Sequence, residues 1–137
     1  MAAPGDTTVS GFHHAALRAA DFDASVRFYT RGLGMKQVLA WGEGKGRAVM
    51  LDAGNGNCME VFAGGDPGQH PEGALLHLAF RTSNCDRTLE AARAAGAVVT
   101  EEPKSVTIPS VPPAVVRIAF CKGPDGEVIE FFQLLKK

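Results

Sequence analysis

The sequence predicts an α+β fold made of two successive βαβββ modules. Two observations lead to this prediction: an internal repeat, and apolar segments whose spacing changes from strand-like to helix-like in the same order in each half. A chain of 137 residues can bury one ordinary core but not two independent ones. We therefore expect a single domain over 1–137, with modules at about 11–65 and 74–135.

The repeat becomes visible when His14 is placed on His77, an offset of 63 residues. Near the ends of the halves the offset is 70, because Glu60 falls on Glu130. The other matched pairs are Ala16 and Ala79, Arg18 and Arg81, Asp23 and Asp86, Arg47 and Arg117, Gly56 and Gly126, and Phe62 and Phe132. Each half thus carries one His near its start and one Glu near its end, in an order that chance rarely produces.

The first module begins with a short strand in FHHAALRA. Asp21 is a good N-cap for the helix that follows, and Gly32 and Gly34 are expected to end it. Three strands, MKQVLAW, RAVMLDA and NCMEVF, are then separated by glycine-rich turns.

The second module repeats this order. The strand LLHLAFR is followed by Asn84 as N-cap, by a helix that ends at Gly96, and by the strands AVVTE, VVRIAFC and EVIEFFQL. The Pro-Asp-Gly sequence at 124–126 predicts a tight turn before the last strand. The seven extra residues of this half fall within EEPKSVTIPSVPPA, whose four prolines predict a long, stiff loop that shapes a pocket.

Strand alternation places His14 on the same face as Arg18, and puts Glu60 and Glu130 in the middle of apolar strands. A carboxylate in such a strand needs a partner, because burying an unpaired charge is costly. A metal ion or an arginine could serve as that partner. Two neutral imidazoles and two carboxylates around one divalent ion make a neutral site, suited to nickel, zinc, cobalt, manganese or iron rather than calcium.

The composition argues against several other functions. The 14 basic and 15 acidic residues are spread along the chain, so no basic cluster is available for nucleic acid. No apolar run approaches the roughly 20 residues of a membrane-spanning helix. The N-terminal MAAPGDTTVSG reads as a flexible lead rather than a secretory signal. Three cysteines without a paired spacing are expected to be small buried residues in a reducing compartment, the cytoplasm.

These motifs resemble the vicinal-oxygen-chelate superfamily, and within it bacterial glyoxalase I. The resemblance is carried by HAALRAADFDASVRFYTRGLGM, NCMEVF, LHLAF and KGPDGEVIEFF, in the family's order from about residue 11 to 134. It implies two modules with curved mixed sheets around one metal ion. It further implies His14, Glu60, His77 and Glu130 as metal ligands, a small-molecule substrate, and a homodimer whose sites are often built across the interface.

The resemblance also implies a mechanism. A metal-dependent lyase or isomerase would act on a 2-oxo compound or its thiol adduct through a metal-bound enediolate, with Glu130 as general base. Arg18 matches an arginine that binds the glutathione carboxylate, whereas the family's asparagine four residues after the fourth-strand ligand is Gly64 here. The substrate stays open between a glutathione adduct, another thiol adduct, a coenzyme A ester and an unrelated 2-oxo compound.

Other members of the superfamily supply the alternatives. A resistance protein that sequesters a drug needs no metal, and a ring-cleaving dioxygenase or a fosfomycin-resistance type of transferase uses three ligands rather than four. An epimerase with another substrate is a further alternative. We interpret His13 as structural and on the face opposite His14, His70 as an exposed loop residue, and Arg47 and Arg117 as edge-strand charges.

Overall fold

The computed structural model describes residues 12–67, 77–109 and 112–136. The predicted N-terminal lead and His70 lie outside these ranges. The first module consists of strand β1 (His14–Arg18), helix α1 (Phe22–Arg27) continued by a π-helical turn (Phe28–Gly32), and strands β2 (Lys36–Trp41), β3 (Ala48–Asp52) and β4 (Cys58–Phe62).

The second module has the same order of elements. It consists of β5 (Leu78–Arg81), helix α2 (Cys85–Ala94), β6 (Val98–Ile108), β7 (Ala114–Lys122) and β8 (Val128–Lys136). The strand orders are β1-β4-β3-β2 and β5-β8-β7-β6, so each sheet has the same topology. In each sheet the first strand pairs parallel with the last, and the other pairs are antiparallel. The predicted α+β fold with two βαβββ units is confirmed.

Both helices begin where the sequence predicts. The Asp21 carboxylate accepts a hydrogen bond of 3.0 Å from the Ala24 N–H, and the Asn84 side chain accepts one of 3.0 Å from the Arg87 N–H. Each bond satisfies a donor that the first helical turn leaves unpaired. Gly96 follows α2 with a φ of +101°, a conformation that only glycine adopts without strain.

The proline-rich segment of the second module does not form the predicted loop over most of its length. Residues 101–108 continue β6, which pairs with β7 as far as Ile108 opposite Ala114. The prediction was wrong because proline was read as ending the strand. Pro103 is tolerated since β6 lies at the sheet edge and the pairing register shifts between Glu101 and Lys104.

One face of each sheet packs against the helices, and the two modules share a core. In β4, Met59 and Val61 are buried while the alternate side chains face away from the core. The buried residues of this core come from both halves: Ala19, Phe28, Tyr29, Met35, Val49, Leu51, Met59, Val61, Cys85, Leu89, Ala92, Ala119, Cys121, Ile129 and Phe131. Cys85 and Cys121 are thus buried and unpaired as predicted, whereas Cys58 is only half-buried.

A polar cluster crosses the contact between the modules. The fully buried Ser25 hydroxyl donates to the Asp125 carboxylate at 2.9 Å, and the buried Tyr29 hydroxyl donates to Glu127 at 2.6 Å. The Asp125 backbone N–H donates to the same Glu127 carboxylate at 2.8 Å. Burial raises the pKa of Glu127 above its ordinary value. Thus the Pro-Asp-Gly turn of the second module is tied to the first helix of the chain.

An arginine–aspartate pair recurs in the two modules. Arg47 donates to Asp23 at 3.1 Å, and the guanidinium of Arg117 donates twice to Asp86, at 2.5 and 2.8 Å. Each aspartate lies in the first turn of its helix, where the dipole favours a negative charge. Because Arg47 precedes β3 and Arg117 lies in β7, both inner strands, the interpretation as edge-strand charges was wrong.

Candidate metal centre

The first candidate pair of ligands lies on β1 and β4, which are parallel neighbours. The register places Ala16 beside Glu60, two residues after His14. The side chains of His14 and Glu60 approach each other on the sheet face that points away from the core, with Nε2 of the histidine 3.7 Å from Oε1 of the glutamate. The Glu60 side chain is only 13% exposed.

The second pair repeats this geometry, with His77 directly before β5 and Glu130 on β8. Here Ala79 lies beside Glu130, again two residues after the histidine. Nε2 of His77 is 3.0 Å from Oε2 of Glu130, and the glutamate side chain is 11% exposed. The His77 ring also packs edge-on against Phe120, with ring centroids 5.7 Å apart. The repeat seen in the sequence therefore produces the same imidazole–carboxylate contact on two sheets.

The distances within the pairs fit ligation of a divalent ion. Two ligand atoms each about 2.1 Å from one ion lie roughly 3 to 3.5 Å from each other at tetrahedral or octahedral angles. The separation in the second pair falls within this range, and the first lies just above it. In both pairs Nε2 faces the carboxylate, so both halves offer one nitrogen and one oxygen donor of the kind that transition metals prefer.

The four predicted ligands are brought together as two pairs rather than as one cluster. The pairs lie on different sheets. Over residues 12–67, 77–109 and 112–136, no group of three or more His, Cys, Asp or Glu side chains is close enough to hold an ion. Each sheet thus presents half of the predicted four-ligand set.

Arg18 lies on β1 on the face of His14, as predicted. One guanidinium nitrogen donates to the Ala63 carbonyl at 3.0 Å, and the guanidinium carbon is 5.4 Å from the centre of the Phe62 ring. Gly64 follows with a φ of +84°, and a Cβ there would lie 3.1 Å from the Lys45 carbonyl oxygen. The backbone therefore favours glycine at this position.

His13 contacts His14, which the sequence did not predict. Its Nδ1 lies 3.0 Å from Nδ1 of His14, and the two rings are nearly perpendicular. His13 lies directly before β1, and its carbonyl accepts a hydrogen bond of 3.0 Å from the Cys58 N–H of β4. The only indication of this contact in the sequence was that the two histidines are adjacent.

The comparison with known families agrees with this architecture. Residues 11–131 match the model of the Glyoxalase/Bleomycin resistance protein/Dioxygenase superfamily. The chain belongs to this superfamily. A probable lactoylglutathione lyase from Vibrio parahaemolyticus is 33% identical over 127 residues, which cover 88% of each chain.

Solved structures share the superfamily fold at lower identity. TnmS3, an antibiotic binding protein from Streptomyces, superposes with a TM-score of 0.70 at 22% identity, over 93% of this chain and 98% of its own. A glyoxalase I mutant from Zea mays superposes with a TM-score of 0.69 at 23% identity, over 88% of this chain and 43% of its own. Among the described residues of this superfamily member, no helix is long and apolar enough to cross a membrane.

Proposed function

We propose that this protein is a metal-dependent lyase or isomerase of the glyoxalase I type, which acts on a 2-oxo compound or its thiol adduct in the cytoplasm. The observation that carries the proposal is the imidazole–carboxylate pair that recurs at the same register on both sheets. The similarity to a probable lactoylglutathione lyase over 88% of the chain supports the reaction class.

The complete centre would combine the two pairs in a homodimer. One subunit would supply His14 and Glu60, and its partner would supply His77 and Glu130. The His14 and His77 side chains are 38% and 37% exposed, so a second copy could approach them, while Glu60 and Glu130 lie below at 13% and 11%. A closed twofold dimer would contain two such centres, because each subunit would present both of its pairs.

The residues of the centre would divide the chemistry between them. A bound divalent ion acts as a Lewis acid that stabilises negative charge on substrate oxygens. Glu130 removes the proton from the carbon next to the carbonyl and returns it to the neighbouring carbon. Its low exposure favours this role, because few water molecules compete for the carboxylate. Arg18 would bind an anionic group of the substrate beyond the ligands.

The reaction is tested with apo-protein reloaded separately with nickel, cobalt, manganese, zinc and iron. Each sample is given methylglyoxal together with glutathione or another small thiol, and thioester formation is measured. We expect metal-dependent turnover with at least one of the thiols. Stoichiometric metal binding without turnover would contradict the lyase assignment and favour an epimerase, another 2-oxo substrate or a binding function.

The role of Glu130 as general base is tested with Glu130→Gln, which keeps an oxygen ligand but loses the basic carboxylate. We expect kcat to fall by about 10²- to 10⁴-fold while metal remains bound. Glu43→Gln, which changes an exposed carboxylate before the 3₁₀ turn Gly44–Gly46, is the control. Wild-type turnover in metal-loaded Glu130→Gln would show that another group is the base.

The shared centre is tested by mixing two inactive variants, His14→Ala and His77→Ala. In a mixed dimer, the intact first pair of one subunit meets the intact second pair of the other, and one centre is restored. With random exchange, half of the dimers are mixed and one of their two centres is intact, so about a quarter of wild-type activity should return. No recovery despite subunit exchange would show that the centre does not form across the interface.

A further inference from the structure

The contact between His13 and His14 restricts where the proton sits on the His14 ring. The two Nδ1 atoms are 3.0 Å apart, with ring centroids 5.2 Å apart and an interplanar angle of 89°. A hydrogen bond between two imidazole nitrogens contains one proton, so one Nδ1 donates and the other accepts. When both rings are neutral, their tautomers are therefore coupled.

The other nitrogen of the His14 ring has a different neighbour. Its Nε2 faces Oε1 of Glu60 at 3.7 Å, so it is the atom placed to bind a metal jointly with that carboxylate. A neutral histidine that binds metal through Nε2 carries its proton on Nδ1. In that tautomer the Nδ1–H of His14 points at Nδ1 of His13.

We propose that His13 is a positioning residue of the metal centre. It accepts the hydrogen bond from Nδ1–H of His14, which keeps Nε2 unprotonated and fixes the rotation of the ring towards Glu60. The proposal rests on the metal centre proposed above. It assigns to His13 the part that a carboxylate or a backbone carbonyl usually plays for a histidine ligand.

The second half of the chain supplies an internal control. The residue before His77 is a leucine in the sequence, which has no hydrogen-bonding side chain. The His77 ring is held by its edge-on contact with Phe120 and by the approach of Nε2 to Glu130. A change at position 13 should therefore alter His14 and leave His77 as it is.

Two variants separate the hydrogen bond from the ring contact. His13→Phe keeps an aromatic ring but removes the acceptor, whereas His13→Asn offers an amide oxygen near the position of Nδ1. Zinc binding to each apo-protein is measured by competition with a chelator. We expect the dissociation constant to rise at least about tenfold in His13→Phe and to stay close to the wild-type value in His13→Asn.

The tautomers are measured in the apo-proteins by two-bond ¹H–¹⁵N NMR of the histidine rings. The proton of the neutral His14 ring should be on Nδ1 in the wild type and His13→Asn, and should move towards Nε2 in His13→Phe. The His77 signals should be the same in all three. The proposal would be overturned if the His14 proton were on Nε2 in the wild type. It would also be overturned if all three proteins bound zinc equally well, or if both variants lost zinc affinity to the same extent.

Failure of the metal centre itself would give a different result. If the wild-type protein binds no zinc or nickel, the proposed function is wrong, and the apo-protein spectra still decide whether His13 holds the His14 tautomer. If the wild type binds zinc and His13→Phe binds it equally well, the centre stands and the positioning role is wrong.

Discussion

Tyr29 donates a 2.6 Å hydrogen bond to Glu127, and the contact joins the first helical segment of the chain to the turn before its last strand. Burial and the nearby Glu127 carboxylate raise the pKa of the tyrosine, so the hydroxyl remains a donor. Burial likewise raises the pKa of Glu127, although the bond from Tyr29 opposes that shift. The two residues therefore link the modules at the cost of desolvating a carboxylate.

This desolvation predicts a pH dependence of stability. Because the pKa of Glu127 is higher in the folded than in the unfolded chain, its contribution is fully present below the unfolded pKa and is lost as the pH rises through the folded pKa. In Glu127→Gln this dependence is absent. The free energy of unfolding of the wild type minus that of Glu127→Gln should fall as the pH is raised from about 4 to 8, measured by urea denaturation. A difference that stays constant, or rises, would contradict the desolvated carboxylate.

Removing the donor should weaken the same contact. Tyr29→Phe keeps the ring in the core and leaves the Glu127 carboxylate without one of its donors. We expect a loss of about 1–3 kcal/mol in the free energy of unfolding at neutral pH, the usual effect of leaving a buried acceptor unpaired. Phe28→Leu, at the adjacent buried ring, controls for a general loss of packing. Equal stability of Tyr29→Phe and the wild type would show that water replaces the hydroxyl.

A close approach between the two helical segments predicts a second effect on packing. A Cβ at Gly32 would lie 2.6 Å from Cβ of Ala95, so Gly32→Ala forces the segments apart. We expect it to destabilise the protein by about 1–3 kcal/mol in urea denaturation, despite the better helix propensity of alanine.

The double variant Gly32→Ala/Ala95→Gly tests whether this clash is the cause. It removes the Ala95 Cβ that the new methyl group at position 32 would meet, and it should recover most of the lost stability. If the double variant is no more stable than the sum of the two single effects, the clash is not responsible.

The recurrent arginine–aspartate pair predicts a difference between the modules. Arg117 holds Asp86 through two hydrogen bonds, whereas a single bond joins Arg47 and Asp23. The bonds from Arg117 lower the pKa of Asp86, so its contribution is present above the unfolded pKa and is lost as the pH falls through the folded value.

We therefore expect Asp86→Asn to lower the melting temperature more than Asp23→Asn at neutral pH. The effect of Asp86→Asn should shrink as the pH is lowered towards 3. Thermal unfolding followed by circular dichroism over this pH range measures both. The opposite order of the two variants would show that the interaction with the helix dipole, rather than the arginine contact, dominates.

The local features of the fold could be predicted from the sequence because they depend on neighbouring residues. Asp21 and Asn84 cap their helices through atoms three residues away, and alternation in β4 sends Glu60 to the face opposite Met59. The pairing of His14 with Glu60 could be anticipated only from the repeat, because each half has one histidine near its start and one glutamate near its end.

Long-range contacts account for what the sequence did not reveal. The partner of Arg117 is 31 residues away, and nothing in its own strand indicates Asp86. The extension of β6 past Pro103 depends on its place as the last strand of the sheet, which is known only once the strand order is known. The contact of His13 with His14 was not anticipated, since β1 begins at His14, two residues after the start of the predicted strand at Phe12.

Pro103 in β6 also affects the tendency of the protein to aggregate. A long outer strand offers a row of backbone N–H groups that could recruit a strand from another chain and begin fibril growth. Pro103 has no N–H, and the pairing of β6 with β7 shifts register between Glu101 and Lys104, near the middle of the strand. The seven inserted residues thus lengthen the second sheet while breaking the template on which other chains would add.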